Sequence, residues 1–240
     1  MKRAVGVLIV VCVTTLLVAP SYAQRTDPPV VEQSIKRLED PEWRTRSAAL
    51  GALLGSSSEP AESRVALSRL LQKWPEKSDE IKVALIKALE IENKVTEEQE
   101  EFILRKYARE GSSKPHPFPD AEARSEFYAR LVVAVTSLKD TRSINGLLGA
   151  IKRGNMVIRA LAEFGNAALD PVVEQLNSSD VTRRYAATLV LAKMVDPKNS
   201  QRVNDPVSIQ KIAQALRYHS KNDPFEPLRN AASEALKNAK

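Results

Sequence analysis

The chain has 240 residues, 36 lysines and arginines against 30 aspartates and glutamates, a net charge of +6 and one cysteine. That length gives room for one continuous core, and a lone cysteine rules out an internal disulfide. The aromatic share of 5% suits helices packed through Ala, Leu and Val, and no run of alternating β-branched residues is bounded by hairpin turns, so the expected fold class is all-α.

Lys2-Arg3, the apolar run Ala4 to Ala19 and then Ser21-Tyr22-Ala23 follow the order of a secretory signal. Residues 1–23 therefore read as a signal peptide with cleavage after Ala23. An uncleaved anchor is the other reading, but the apolar run is short of the roughly 20 residues that span a bilayer. Cys12 follows Val11 inside that run and does not sit in a lipoprotein acylation box. Without Lys2 and Arg3 the mature chain keeps 34 basic against 30 acidic groups. It is expected to be secreted or periplasmic, in a bacterial envelope, with no stable membrane insertion.

Residues 24–29 read as a disordered polar lead and 30–240 as one domain. The first helix pair is Val30 to Leu38 with Glu42 to Leu54, and the second is Pro60 to Gln72 with Asp79 to Ile91. Thr96, followed by Glu97, Glu98, Glu100 and Glu101, looks like the start of a third pair, because acidic residues favour a helix N-terminus. The prolines of Ser112-Ser-Lys-Pro-His-Pro-Phe-Pro-Asp120 then impose a loop at 111–120, and helix resumes to about Leu138. Ser143 to Lys152 with Asn155 to Phe164 makes the fourth pair. The fifth spans Gly165 to Val195, with Asn166 or Asp170 capping its first helix and Asp180 its second. Asp205 to His219 with Pro224 to Ala239 is the sixth.

One frame recurs along these pairs: a basic residue, then small or apolar residues two, three, six and seven positions on. It reads RSAALGAL from Arg46, KVALIKAL from Lys82, RYAATLVL from Arg184 and RNAASEAL from Arg229, more loosely from Arg159 and weakly from Arg130. Self-similarity of this kind implies stacked units that cannot bury their apolar faces alone. Ala48, Ala187 and Ala232 are expected to face the seams between helices, where a one-carbon side chain permits close approach.

The frame from Gly165-Asn-Ala-Ala-Leu169 through Leu176, Asp180, Arg184, Ala186-Ala187 and Leu191 resembles HEAT repeats, in particular the short PBS-lyase HEAT-like variety of the armadillo-like helical proteins. The resemblance is clear over 143–195, good at 39–54 and in the last pair, and poor over 96–140. It implies a right-handed α-solenoid, an α-α superhelix of about six antiparallel helix pairs whose second helices line the concave surface. It implies a scaffold and no particular activity.

Catalytic chemistry is not evident. His116 and His219 are the only histidines and read as exposed residues without a role. No Gly-x-Ser-x-Gly elbow or phosphate-cradling loop occurs, so no enzyme activity, catalytic residue, cofactor or metal is expected. The recurrent cations Arg46, Lys82, Arg159, Arg184 and Arg229 read as a structural ladder, each bonding a neighbouring turn and covering apolar surface with its stem. Binding an anionic partner is the other use such a ladder has.

Residues beside it on the second helices, Trp43, Arg183, Tyr185, Thr188 and Lys193, are the expected partner-binding set, with Trp43 and Tyr185 as anchors. Residues 24–110 carry 15 basic and 17 acidic groups and 111–240 carry 19 and 13. An anionic protein or peptide would therefore be drawn to the C-terminal half. Nucleic acid is disfavoured by export and by the dispersal of the basic groups. The function expected is that of an exported scaffold binding a protein or peptide on its concave surface. An enzyme or accessory subunit acting on an envelope component, and a structural protein assembling end to end, are the alternatives.

Overall fold

The computed structural model describes residues 27–55, 57, 59–110 and 120–239, with only the backbone for 95–110 and 121. Among them all regular structure is helical: α1 (Pro28–Arg37), α2 (Trp43–Leu54), α3 (Pro60–Lys73), α4 (Ser78–Glu110), α5 (Ala121–Ser137), α6 (Ser143–Gly149), α7 (Asn155–Ala162), α8 (Asn166–Gln175), α9 (Val181–Val195), α10 (Pro206–Asn222) and α11 (Glu226–Asn238). Short 3₁₀ turns at Pro75–Lys77 and Ile151–Arg153 precede α4 and α7. No helix of the described residues is long and apolar enough to cross a membrane. The signal at 1–23, the cleavage after Ala23, residues 24–26 of the lead, His116 and residues 111–119 of the Pro-rich loop lie outside the described residues.

The expected lead ends sooner than 29, because Pro28 and Pro29 open α1. A proline there has no N–H to leave unpaired, and its φ is already helical. Thr96 starts no helix: α4 runs unbroken for 33 residues. The residues flanking Thr96, Asn93-Lys94-Val95 and Glu97-Glu98, are tolerated in a helix interior, so an acidic cluster alone does not end one.

The helices form two rows. In one, α1, α4, α6, α8 and α10 pack in succession; in the other, α2, α3, α5, α7, α9 and α11 do. The hairpins α1/α2, α4/α5, α6/α7, α8/α9 and α10/α11 join the rows. This corrects the expected second and third pairs, since α3 packs chiefly on α2 and α5 while α4 pairs with α5. Five pairs and one extra helix result, where about six pairs were expected.

The core lies between the rows, through Leu38, Leu50, Leu85, Leu131, Leu147, Leu161, Leu191 and Leu216, all at 0% exposure. Neighbouring pairs are tied at their ends as well. Asn166 donates to Asp205 (2.7 Å) and Lys211 to Asp170 (2.5 Å), binding α8 to α10. Neither Asn166 nor Asp170 caps α8, whose N-cap is Gly165 at φ 54°, a backbone region that suits glycine. Pro171 stands beyond the first turn of α8, where it removes the N–H that would reach Ala167.

The small residues of the recurring frame divide by register. Ala49, Ala187 and Ala232, three residues after their arginines, are buried at 3%, 0% and 0%. Ala48 is exposed, contrary to expectation. It stands two residues after Arg46, and one step along a helix turns the side chain by about 100°. Ala187→Leu should therefore cost about 1–3 kcal/mol through overpacking, while Ala48→Leu should stay within about 0.5 kcal/mol. Urea midpoints of the two variants would check this.

Candidate functional site

Helix entry recurs with the same chemistry in three places. Arg46, Arg184 and Arg229 are each the fourth residue of their helix, and each folds back on the turn before it. Arg46 Nη1 donates to the carbonyls of Asp40 (2.6 Å) and Pro41 (2.8 Å). Arg184 Nη1 donates to those of Ser178 (2.9 Å) and Ser179 (3.1 Å), and Arg229 Nη1 to those of Asp223 (2.8 Å) and Pro224 (3.2 Å).

The residue six before each arginine also turns its side chain onto the N–H two residues on. Asp40 accepts from Glu42 (2.8 Å), Ser178 from Asp180 (3.2 Å) and Asp223 from Phe225 (2.9 Å). Carbonyls in a turn have no ladder partner, and a guanidinium fork supplies two donors at the right spacing.

Arg46 and Arg184 also reach across to the next hairpin. Arg184 Nε and Nη2 bond the Asp223 carboxylate at 2.8 and 3.3 Å, so Asp223 takes one arginine on its side chain and another on its carbonyl. Burial pushes the Asp223 carboxyl up, but hydrogen bonds from Arg184 and the Phe225 N–H, with the Arg184 charge, hold it below the usual carboxylate range. Lys152 reaches Asp180 (3.2 Å) in the same way, from the turn before α7 to the cap of α9.

Arg46 meets Glu92 of α4, with both side chains at 1% exposure or less. Arg124 Nε also bonds Glu92 (2.6 Å), and Arg153 donates to the Glu92 carbonyl (3.2 Å) while stacking 4.1 Å above the Tyr128 ring. Burial raises the Tyr128 phenol to about 12, against the pull of Arg153, so it stays protonated and faces Asn93 Oδ1 at 3.4 Å.

Arg124 was missed in the sequence. It is the fourth residue of α5, four after Asp120, as Arg184 is four after Asp180. That spacing was the available signal, obscured because Glu126 and Phe127 stand where the other copies carry small residues. Arg130, the expected counterpart, instead donates to the Gly55 carbonyl. Lys82 lies on α4, in the row opposite α2, α9 and α11, where its charge helps the Arg142 hydrogen bonds hold Asp140 below the usual range. Arg159 is the fifth residue of α7 and exposed, one position too late to close on its turn.

The expected partner-binding residues do not form one surface. Thr188 is fully buried, with its hydroxyl on the Arg184 carbonyl (3.0 Å), so no partner reaches it. Helical phase explains this, since four residues on from Arg184 points into the seam with α11. Trp43 is half-buried and tilted on Phe127, ring centroids 6.3 Å apart. Arg183 donates to the Leu148 carbonyl (3.2 Å), and Lys193 pairs with Asp196 (2.8 Å). Tyr185 is half-buried against Phe225, edge to face at 5.9 Å.

His219 is buried, at 8% exposure, where an exposed histidine was expected; its Nδ1 lies 3.5 Å from Asp223. It falls on the core side of α10, one turn after Leu216. No group of three potential metal ligands occurs among the described residues. No family model, curated protein or solved structure matches this chain.

Proposed function

We propose that this chain is an exported HEAT-like scaffold, an α-solenoid that binds a protein or peptide partner along the surface of its second helices. The observation that carries the reading is the threefold helix-entry clamp: one arginine position, two carbonyls and one side-chain acceptor, repeated at Arg46, Arg184 and Arg229. A unit that repeats its own internal anchoring supports stacking of like hairpins.

The clamps occupy three of the ladder cations with backbone carbonyls, and two of them, Arg46 and Arg184, with a carboxylate as well. This favours a structural role for them and leaves partner contact to the residues between them.

A photo-crosslinking residue placed at Tyr185, in the row of second helices, or at Tyr218, 64% exposed on α10 in the other row, separates the two faces. In intact cells the adduct with a partner is expected from position 185 and not from 218. Adducts from 218 alone, or from neither, would overturn the reading.

A further inference from the structure

The helices α7, α9 and α11 lie side by side and start at matched levels. Lys152, ahead of α7, bonds the Asp180 cap of α9, and Arg184 in the first turn of α9 bonds Asp223, just ahead of α11. Residues at equal distance from each helix start therefore sit abreast on the outer face of this row.

On α9 the outward column is apolar. Val181 is 38% exposed, Tyr185 and Leu189 are half-buried, with Tyr185 against Phe225 and Leu189 against the core, and four-residue spacing aligns the three. On the α7 side the column is flanked by Arg159, which is exposed and abreast of Tyr185. On the α11 side stand Glu226, abreast of Val181, and Glu234, abreast of Leu189, both exposed. Among the described residues Glu234 pairs only with the exposed Lys237 of its own helix, a contact worth little in water.

We infer that this face takes an amphipathic helix of a partner protein, laid along α9. Its apolar residues at i, i+4 and i+8 meet Val181, Tyr185 and Leu189. Its acidic flank faces Arg159 and its basic flank faces Glu226 and Glu234. The inference rests on the scaffold reading and names the partner's chemistry and orientation. Opposite charges on the two sides of one apolar column fix which way round the helix lies, because a reversed helix places like charges together.

The probe is a synthetic peptide with leucines at i, i+4 and i+8, glutamates on one flank and lysines on the other, compared by fluorescence anisotropy against the chain with a counterpart that carries lysines on both flanks, which no reversal of direction can match to Arg159. The first is expected to bind about fivefold more tightly at low salt, a difference that shrinks at high salt. Arg159→Glu, at an exposed site, should cut that preference to about twofold or less. Val181→Asp should weaken both peptides about tenfold, and it leaves the fold intact because an acid in the first turn suits a helix N-terminus.

Equal binding of both peptides, binding indifferent to Val181→Asp, or no binding would each overturn the inference. Crosslinking from position 185 in cells would still stand in any of these cases, so failure here is distinct from failure of the scaffold reading.

Discussion

Glu92→Ala is expected to destabilise the chain by about 3–5 kcal/mol, lowering the thermal midpoint by about 10 °C. The carboxylate is 1% exposed and receives both Arg46 and Arg124. Arg46 is itself fully buried, and its Nε has no hydrogen-bond partner among the described residues. Removing Glu92 leaves that guanidinium in the core with, among the described residues, only the Asp40 and Pro41 carbonyls for company.

The cost is that of an uncompensated buried charge, which exceeds what the intact pair contributes over an apolar replacement. The double variant Arg46→Met, Glu92→Leu should therefore be more stable than Glu92→Ala alone. Denaturant midpoints of the two variants decide it: a double variant less stable than the single would mean that Arg46 acts chiefly through its carbonyl clamp.

Asp223→Ala should cost about 2–5 kcal/mol, because it strips Arg184 of its carboxylate and the Phe225 N–H of its acceptor in one step. The same group ties stability to pH. Its folded-state carboxyl is held below the ordinary value of about 3.9, so its contribution is fully present above that pH and is lost as pH falls through the folded-state value. Asp140, Asp180, Asp196 and Asp205 are shifted in the same direction. Stability of the unmodified chain should thus fall with acid below about pH 4, and Asp223→Ala should fall less steeply over that window. Parallel curves for the two would show that Asp223 carries no share of the acid sensitivity.

Much of the helix order was legible from apolar spacing and caps. Asp180 accepts from the N–H groups of Thr182 and Arg183, and Pro206 falls in the first turn of α10, whereas α11 starts at Glu226, two residues after the expected Pro224. These are local events, settled within a few residues by backbone donors and ring geometry. The continuity of α4 through Thr96 was misread as a new start, because an acidic cluster suits a helix N-terminus but nothing in its neighbourhood forbids a helix from continuing.

Packing misled in a different way. The KVALIKAL run from Lys82 matches the frame of the second helices, yet α4 stands in the row of the first helices. An apolar stripe states that one face is buried and leaves open which neighbour buries it. Ala48, Thr188 and His219 each carried a residue type suited to the other environment. Their actual burial followed from helical phase and from the neighbour across the seam.

By itself the sequence determined the helical character of the described residues, the hairpins α1/α2, α6/α7, α8/α9 and α10/α11, and a recurring arginine ahead of paired small residues in three of the helices. Those properties depend on contacts between residues close in the chain. Only the tertiary structure decided that α3 leaves α4 for α2 and α5, that Glu92 sits beneath Arg46 and Arg124, and that α9 packs between α7 and α11. Such choices are made by surfaces from distant segments competing for the same burial, and a one-dimensional pattern of polar and apolar residues does not rank those competitors.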